Sequence, residues 1–477
     1  MKRLLLFLFS VVCSQVLAAQ HSNRPYIPPS DSLVRQNLTE WQGLKFGLLM
    51  HWGTYSQWGI VESWSLCPED EGWCERRGDH AANWYDYKKA YENLQTTFNP
   101  SHFEPDRWAA AAHAAGMRYV VFTTKHHDGF CMFDTRQTDY KITDPKCPFS
   151  RNLQADVTRE IFQAFRKKGF KTGAYFSKPD WHSNDFWWSY FPPKDRNVNY
   201  DLKKYPERYQ RFKEFTINQL EELCTNYGKL DILWLDGGWV RPSSTIDRSE
   251  SWQRGIPDGQ DVNMPHIAAM ARQRQPGIII VDRWIPGEFE NYLTPEQGIP
   301  TAPLGVPWET CMTMGDSWSF IFEEHYKSPR KLIHTLCDIV SKGGNLLLNI
   351  APGPDGRWHQ EAFDRLQEIA AWMQVNSDAI YGTITPTNGI FRSGNLVFTQ
   401  KGTKIFAIYL AQEGEVLMPE QIMIPNMTLK PGSQVKLLGS KNIPRWRSVG
   451  RDLIVWPASE DIINPPCQYA WVFELEI

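Results

Sequence analysis

The chain has 477 residues, of which 42% are hydrophobic and 22% charged, a balance typical of a globular protein with a large buried core. This balance excludes disorder as the dominant state, and 32 Gly with 32 Pro exclude a collagen-like or low-complexity chain. The formal net charge is −3 and long blocks of like charge are missing, which argues against nucleic acid as a partner. The 21 Trp residues are unusually many, and flat aromatic faces beside polar groups suit the C–H faces of sugars.

The N-terminal residues have the pattern of a secretory signal peptide. Lys2-Arg3 precedes the apolar run Leu4–Val12, and small residues around Ala18 supply a cleavage site. We therefore expect a signal peptide over 1–19 and an exported protein, periplasmic or extracellular. No later apolar run reaches the roughly 18 residues that a membrane span needs.

The cysteines leave two questions open. Cys13 is an alternative lipid-attachment site, although the preceding Val11-Val12 lacks the small residue usually found there. Cys67 and Cys74 are close enough in sequence to form a disulfide, whereas the other later cysteines are expected to be buried thiols. No CxxC pair indicates zinc.

Strand-like and helix-like stretches alternate between residues 20 and 384. The predicted strands are Leu44–His51, Tyr119–Lys125, Lys171–Ser177, Leu230–Leu235, Gly277–Val281 and Asn345–Ile350. The predicted helices are Pro105–Ala115, Ala155–Lys168, Tyr205–Tyr227, Pro265–Arg272, Pro329–Ser341 and Gln360–Val375. Strands apolar on both faces predict a parallel sheet covered by helices, and the length favours a single (β/α)8 barrel in which two units are short or irregular.

The pattern changes after Tyr381-Gly382. Short strands separated by Gly, Pro, Asn and Ser follow, without a helix-length pattern between them: Gly394–Gln400, Lys404–Leu410, Gln421–Ile424, Val435–Leu438, Leu453–Trp456 and Ala470–Glu476. We expect a small antiparallel β-sandwich over 385–477.

Asp236 is the clearest candidate for a reacting group. It follows an apolar strand and precedes Gly237-Gly238, which allow the chain to turn and a substrate to approach. Because the carboxyl ends of barrel strands surround one shared pocket, this carboxylate is placed to attack a substrate there. The alternative role for Asp236 is that of a turn or helix-capping residue.

Histidines end two other predicted strands. His51 ends the first, and His126-His127 follows Lys125. Adjacent residues of an extended strand point to opposite sides, so both could bind one metal ion only on a distorted backbone. Neutral imidazoles that hydrogen-bond to a polyol are therefore favoured over a metal site.

Several carboxylates lie in the stretch from Val281 to Trp318: Glu288, Glu290, Glu296 and Glu309. A glycosidase that retains anomeric configuration needs two carboxyl groups about 5–5.5 Å apart, one ionised and one protonated. Asp236 and a glutamate from this stretch would form such a pair, whereas the alternative is that these acids are solvated loop charges.

Taken in chain order, these motifs resemble the α-L-fucosidases of glycoside hydrolase family 29. The resemblance covers roughly residues 30–385 and rests on Lys45-Phe46-Gly47, His51-Trp52-Gly53-Thr54-Tyr55-Ser56, Lys125-His126-His127-Asp128-Gly129-Phe130, Trp234-Leu235-Asp236-Gly237, Trp308-Glu309, Gly343–Ile350 and Ala379–Thr383. It implies a retaining hydrolase that needs no metal or cofactor and removes terminal α-L-fucose from a fucosylated oligosaccharide or glycoconjugate.

The resemblance also implies residue roles. Asp236 matches the nucleophile, and Glu296 is the expected acid/base, with Glu290 and Glu288 in reserve. The residues expected to bind the sugar or line its pocket are His51, Trp84, His126, His127, Tyr175, Trp234, Trp239 and Arg283. Many family members have Glu-Trp-Tyr where this chain has Asn83-Trp84-Tyr85, so Glu62 is expected to supply the missing carboxylate.

Two other classes stay open. A metal-dependent barrel hydrolase would use His126, His127, Asp128 and Asp236. A catalytically silent sugar-binding protein would keep the aromatic residues and histidines but lose one of the two carboxylates.

Overall fold

The computed structural model describes residues 25–69, 74–76, 78–430 and 432–476. The predicted signal peptide and Cys13 lie outside these residues. Within the described ranges, no helix combines the length and the apolar character needed to cross a bilayer.

Strands and helices alternate through the first four-fifths of the chain, as predicted. The strands are β1 (Phe46–Met50), β2 (Tyr119–Lys125), β3 (Lys171–Ser177), β4 (Ile232–Asp236), β5 (Ile279–Asp282), β6 (Glu309–Thr313) and β7 (Asn345–Asn349). The helices are α1 (Ser32–Leu44), α2 (Trp84–Asn93), α3 (Pro105–Ala114), α4 (Val157–Lys167), α5 (Pro206–Asn226), α6 (Met264–Arg274), α7 (Pro329–Ser341) and α8 (Gln360–Asn376).

The seven strands form one parallel sheet in the order β5-β4-β3-β2-β1-β7-β6. Both faces of the sheet are buried, which explains the nearly continuous apolar runs that predicted it. The sequence prediction missed β6, because its residues Glu-Thr-Cys-Met-Thr do not form an apolar run. It also missed α1 and α2.

An irregular segment, 289–297, fills the gap between the edge strands β5 and β6. Asn291 N–H donates to Ile280 O of β5 over 3.0 Å, and Glu309 N–H of β6 donates to Leu293 O over 2.9 Å. The barrel-type sheet therefore closes through backbone hydrogen bonds to a segment that is not a regular strand. The same segment carries Glu296 to the carboxyl-terminal end of the sheet.

The C-terminal part is an antiparallel β-sandwich, as predicted. Its strands are β8 (Arg392–Ser393), β9 (Leu396–Lys401), β10 (Lys404–Leu410), β11 (Ile422–Ile424), β12 (Val435–Leu437), β13 (Arg445–Val449), β14 (Asp452–Trp456) and β15 (Ala470–Glu476), with a short helix, α9 (Ser459–Ile463), before the last strand. One sheet has the order β12-β15-β10-β9-β8 and the other β11-β14-β13. The prediction missed β13, most of which is exposed, as well as the two-residue strand β8 and the short helix α9.

The sandwich packs on the barrel through α7 and α8. Trp372 Nε1 of α8 donates to Ala470 O over 2.9 Å, and His334 Nε2 of α7 lies 2.8 Å from Tyr469 O. The exact boundary between residues 384 and 385 stays a prediction. All eight described cysteines are thiols, so the structure does not contain the disulfide that the spacing of Cys67 and Cys74 allows.

Gly237 forms the turn that places Asp236 at the end of β4. Its φ of +88° lies in the left-handed region that side-chain-bearing residues avoid, and a Cβ there would overlap the ring of Pro179. The backbone after the strand therefore requires glycine for two independent reasons.

We predict that Gly237→Ala destabilises the protein by about 2–4 kcal/mol, because strain in φ of about 1–2 kcal/mol adds to the overlap. The matched control is Gly259→Ala, where φ is +86° but no atom lies within 4 Å of the added Cβ. Chemical denaturation should show a clearly smaller loss of unfolding free energy for the Gly259→Ala control than for Gly237→Ala. Equal losses would contradict the role given to Pro179.

Candidate active site

A cavity of about 710 Å³ lies at the carboxyl-terminal ends of the barrel strands, within the range of about 300–1,000 Å³ usual for ligand pockets. The structure brings together there the predicted site residues His51, Glu62, His126, His127, Tyr175, Trp234, Asp236, Trp239, Arg283 and Glu296.

Asp236, the last residue of β4, is almost completely enclosed and accepts two hydrogen bonds. Tyr175 Oη donates to Oδ2 over 2.7 Å, and Arg283 Nη1 donates to Oδ1 over 3.2 Å. His127 Nε2 lies 3.9 Å from Oδ2. Burial opposes ionisation, but the charge of Arg283, the neighbouring His127 and the Tyr175 hydrogen bond hold the pKa of Asp236 well below its usual range. Asp236 is therefore a carboxylate at neutral pH.

Arg283 joins Asp236 to Glu296. Its Nη1 binds Asp236, its Nη2 binds Glu296 Oε2, and its Nε donates to Thr294 Oγ1 over 3.3 Å. The guanidinium is planar and presents its donors in a rigid fork, so it fixes the separation of its two partners. The two predicted carboxylates thus lie within the span of one guanidinium group, at the wall of one cavity.

The supporting side chains give two of the histidines opposite hydrogen-bonding roles. His51 Nδ1 lies 2.9 Å from Asn349 Oδ1, and Asn349 Nδ2 donates to Trp318 O, which fixes the amide orientation. His51 therefore donates through Nδ1 and keeps Nε2 as an acceptor. The Ser63 hydroxyl accepts from Asp128 N–H and lies 2.5 Å from His126 Nδ1. It donates to that nitrogen, so His126 keeps Nε2–H as a donor.

All three histidines are neutral. Burial lowers the pKa of His51 to about 4 and that of His127 to about 3, and it holds the pKa of His126 well below its usual value. Neutral imidazoles that both donate and accept suit the hydroxyl groups of a sugar.

The expectation that His126 and His127 point to opposite sides is wrong. Strand β2 ends at Lys125, so both histidines lie in the turn beyond it, and their ring centroids are 4.1 Å apart. With Asp236 they form a group whose candidate ligand atoms all lie within 4.8 Å of one another. Arg283 would place a second positive charge beside any cation bound there, and both Asp236 oxygens already accept hydrogen bonds, so the donors fit a polyol better than a metal ion.

Glu62 is a neutral carboxylic acid in the wall of the cavity. Only 2% of its surface is exposed, and its Oε1 has no hydrogen-bond partner among the described residues. Burial, reinforced by the negative charges of Glu296 and Asp236, raises the pKa of Glu62 to about 8.

Other cavity residues also carry buried polar atoms without a protein partner in the described part of the chain. They are His127 Nδ1, Trp239 Nε1 and Trp284 Nε1. Buried polar groups that lack partners cost about 1–3 kcal/mol each, and the hydroxyl groups of a ligand in the cavity would supply partners for these atoms.

Trp84 is the predicted site residue that the structure does not bring to the cavity. It begins helix α2, its Nε1 donates to Leu66 O over 2.8 Å, and its ring packs against Trp187. Asn83, which stands where many family members have glutamate, caps this helix by accepting from Tyr85 N–H and Asp86 N–H. Trp84 is therefore not among the described residues that line the cavity, and its contact with the sugar stays a prediction.

Glu290 lies outside the cavity and supports the backbone of Trp284, a residue of the cavity wall. Trp284 has a φ of +62°, a strained conformation for a bulky residue, yet it lines the cavity and packs its ring 4.1 Å from the Arg283 guanidinium. Its N–H donates to Glu290 Oε1 over 3.1 Å, and its carbonyl accepts from Arg241 Nη2 over 2.6 Å. Glu290 therefore stabilises this backbone and does not line the cavity.

Two further glutamates from the predicted stretch also lie outside the cavity. Glu288 accepts from the Ser30 hydroxyl over 2.8 Å near the surface. Glu309 is buried among barrel side chains, where Tyr119 and Trp234 donate to it, and burial raises its pKa to about 7. Glu296 is therefore the glutamate of this stretch that reaches the cavity.

Sequence reasoning missed several cavity residues that come from irregular loops. Among them are Trp64, Arg196, Asp316 and Trp318. Their signal was weak, because none directly follows an apolar strand. The abundance of Trp was the one feature that pointed to Trp64 and Trp318.

A cavity that brings two carboxyl groups together beside neutral histidines able to donate and accept hydrogen bonds fits a hydrolase of a polyhydroxylated substrate such as a glycoside. The chain matches the Alpha-L-fucosidase family over residues 13–378. It is 27% identical to an alpha-L-fucosidase of Branchiostoma floridae, covering 94% of this chain and 96% of that protein. It is 26% identical to the plasma alpha-L-fucosidase of Homo sapiens, covering 95% and 93% of the two chains.

Solved structures agree with this assignment. Alpha-L-fucosidase isoenzyme 1 from Paenibacillus thiaminolyticus gives a TM-score of 0.73 at 29% identity, covering 93% of this chain and 99% of that one. An alpha-fucosidase from Thermotoga maritima in complex with fucose gives a TM-score of 0.70 at 26% identity, covering 94% and 100%. The chain belongs to the alpha-L-fucosidase family, and the resemblance found in its sequence is confirmed.

The pKa of Glu62 predicts a pH-dependent stability. Because the folded state keeps a proton that the unfolded chain loses near pH 4.5, this contribution is complete below pH 4.5 and is lost as pH rises through about 8. Between pH 5 and 8, the free energy of unfolding should fall more for the wild type than for Glu62→Gln, by on the order of 3 kcal/mol. Denaturant titrations at several pH values measure this difference, and parallel curves would contradict it.

Proposed function

We propose that this protein is a retaining α-L-fucosidase that hydrolyses terminal α-L-fucose from fucosylated oligosaccharides or glycoconjugates. The observation that carries the proposal is the bridge from Arg283 to both Asp236 and Glu296, because it gives the two carboxyl groups a shared position at one cavity. Membership of the alpha-L-fucosidase family supports fucose as the sugar.

In the first step, Asp236 attacks the anomeric carbon while Glu296 protonates the departing glycosidic oxygen. The C–O bond to the leaving sugar breaks as the ester bond to Asp236 forms. Arg283 and Tyr175 keep Asp236 ionised and oriented for this attack. The ion pair between Arg283 and Asp236 weakens in this step, because the carboxylate loses its negative charge when the ester forms.

In the second step, Glu296 accepts a proton from water, and the water oxygen attacks the same carbon. The ester bond to Asp236 breaks, which releases fucose with the original anomeric configuration and restores the ionised carboxylate. His51, His126, His127 and Glu62 bind the hydroxyl groups throughout, as acceptors and donors without net charge.

We also infer that the protein is exported. Support comes from the basic pair Lys2-Arg3, the apolar run Leu4–Val12 and the small residues around Ala18. A fucosidase outside the cytoplasm would meet the glycans of surfaces and secretions as its substrates.

We predict that Asp236→Gly lowers turnover of an aryl α-L-fucoside by at least about 10³-fold, because no ester can form. Added azide should restore turnover and give β-fucosyl azide, the product of one direct displacement. An α-azide would instead assign Asp236 to the acid role.

The wild-type enzyme distinguishes the other two classes in the same assay. Its turnover should be unchanged by EDTA, and a loss of turnover in EDTA would favour the metal-dependent hydrolase. No turnover under any condition would favour a catalytically silent sugar-binding protein.

We predict that Glu296→Ala lowers kcat/KM by about 10²–10⁴-fold for substrates with a poor leaving group and far less for fucosyl fluoride, whose leaving group needs no proton. Glu290→Gln is the matched control, because it keeps an acceptor for Trp284 N–H. Any change in kcat/KM of Glu290→Gln should be the same for substrates with a poor leaving group and for fucosyl fluoride. If Glu290→Gln shows the leaving-group dependence and Glu296→Ala does not, the acid/base assignment is wrong.

A further inference from the structure

Phe322 is an exposed aromatic residue beside the cavity. Its exposed fraction is 64%. Single exposed apolar residues are common and need no function. Phe322 differs because its chain neighbour Ile321 and the residue beneath its ring, Gly59, both line the cavity.

The loop that carries Phe322 is fixed at its base. Lys327 Nζ donates to Thr313 O over 2.7 Å and to Gly315 O over 2.6 Å. Asp316 N–H donates to Glu324 Oε1 over 2.5 Å, which ties the two ends of the loop together.

Two further contacts join the same loop to the cavity wall. Ser319 Oγ donates to Ile60 O, and Trp318 O accepts from Asn349 Nδ2 over 2.7 Å. Trp318 also packs its ring 5.2 Å from His51. The loop is therefore built onto the cavity wall, and the position of Phe322 is defined by it.

One side of the Phe322 ring rests on backbone. Gly59 has a φ of +60°, and a Cβ there would lie 2.6 Å from the ring. The edge-on contact with Phe320 has a centroid separation of 5.5 Å. Glycine thus lets the ring lie against the chain, while most of the ring surface stays in contact with solvent.

We propose that Phe322 is a stacking platform for the pyranose ring from which fucose is removed, the sugar on the leaving-group side of the bond. The proposal rests on the proposed function, in which fucose lies among Asp236 and the histidines and the next sugar lies toward the cavity margin. A pyranose presents C–H bonds on its faces, and an exposed aromatic face binds such a surface with little loss of conformational entropy.

The test compares two substrates that share fucose and differ in the leaving group. Fucosyl fluoride has no second ring, whereas fucosyl-N-acetylglucosamine and fucosyl-galactose disaccharides have one. Phe322→Ala and Phe322→Leu should lower kcat/KM for at least one disaccharide about tenfold, mainly through KM. Both variants should stay within about twofold of the wild type on fucosyl fluoride, and Phe322→Trp should keep disaccharide activity.

Tyr190→Ala is the matched control, because Tyr190 is an exposed aromatic residue, 72% exposed, that does not line the cavity. It should leave all substrates unchanged. Equal losses on fluoride and disaccharides, or no loss on either disaccharide, would overturn the role of Phe322. Failure of the proposed function would look different, because the wild type would then be inactive on fucosyl fluoride as well.

Discussion

The site depends on the buried guanidinium of Arg283, which contacts two carboxyl groups. Arg283 binds Asp236 and Glu296 at the same time, and it is itself positioned by Thr294 Oγ1 and by the ring of Trp284. Burial alone would disfavour the ionised form of Asp236, and the positive charge of Arg283 beside it stabilises that form. Because the fork is rigid, the same guanidinium also sets the spacing of the two carboxyl groups.

Around this centre, burial keeps the three histidines and Glu62 neutral. It lowers the pKa of His51 to about 4 and raises that of Glu62 to about 8. The neutral groups retain free donors and acceptors at a cost in stability. The hydroxyl groups of a substrate would form hydrogen bonds with these donors and acceptors. The features that allow such a ligand to bind therefore lower the stability of the protein without ligand.

The irregular parts of the barrel supply what regular strands do not. Segment 289–297 bonds to both edge strands and still bends enough to bring Glu296 to the cavity. The loop after β6 brings Trp318 to His51. In both places the regular strands provide a rigid frame, while loops with few repeating hydrogen bonds provide the specific side chains.

The sequence by itself determined the parallel barrel, the sandwich that follows it, and the placement of Asp236, His51 and His126 at strand ends. These follow from local chemistry, because apolar runs mark buried strands and a polar residue after such a run lies at the shared end of the sheet. Only the tertiary structure decided that Glu296 reaches the cavity while Glu290 supports Trp284, that Asn83 caps a helix, and that Glu62 is neutral. The physical reason is that these roles depend on partners far apart in the chain, and a carboxylate has no local pattern that distinguishes a solvated, a structural and a reacting group.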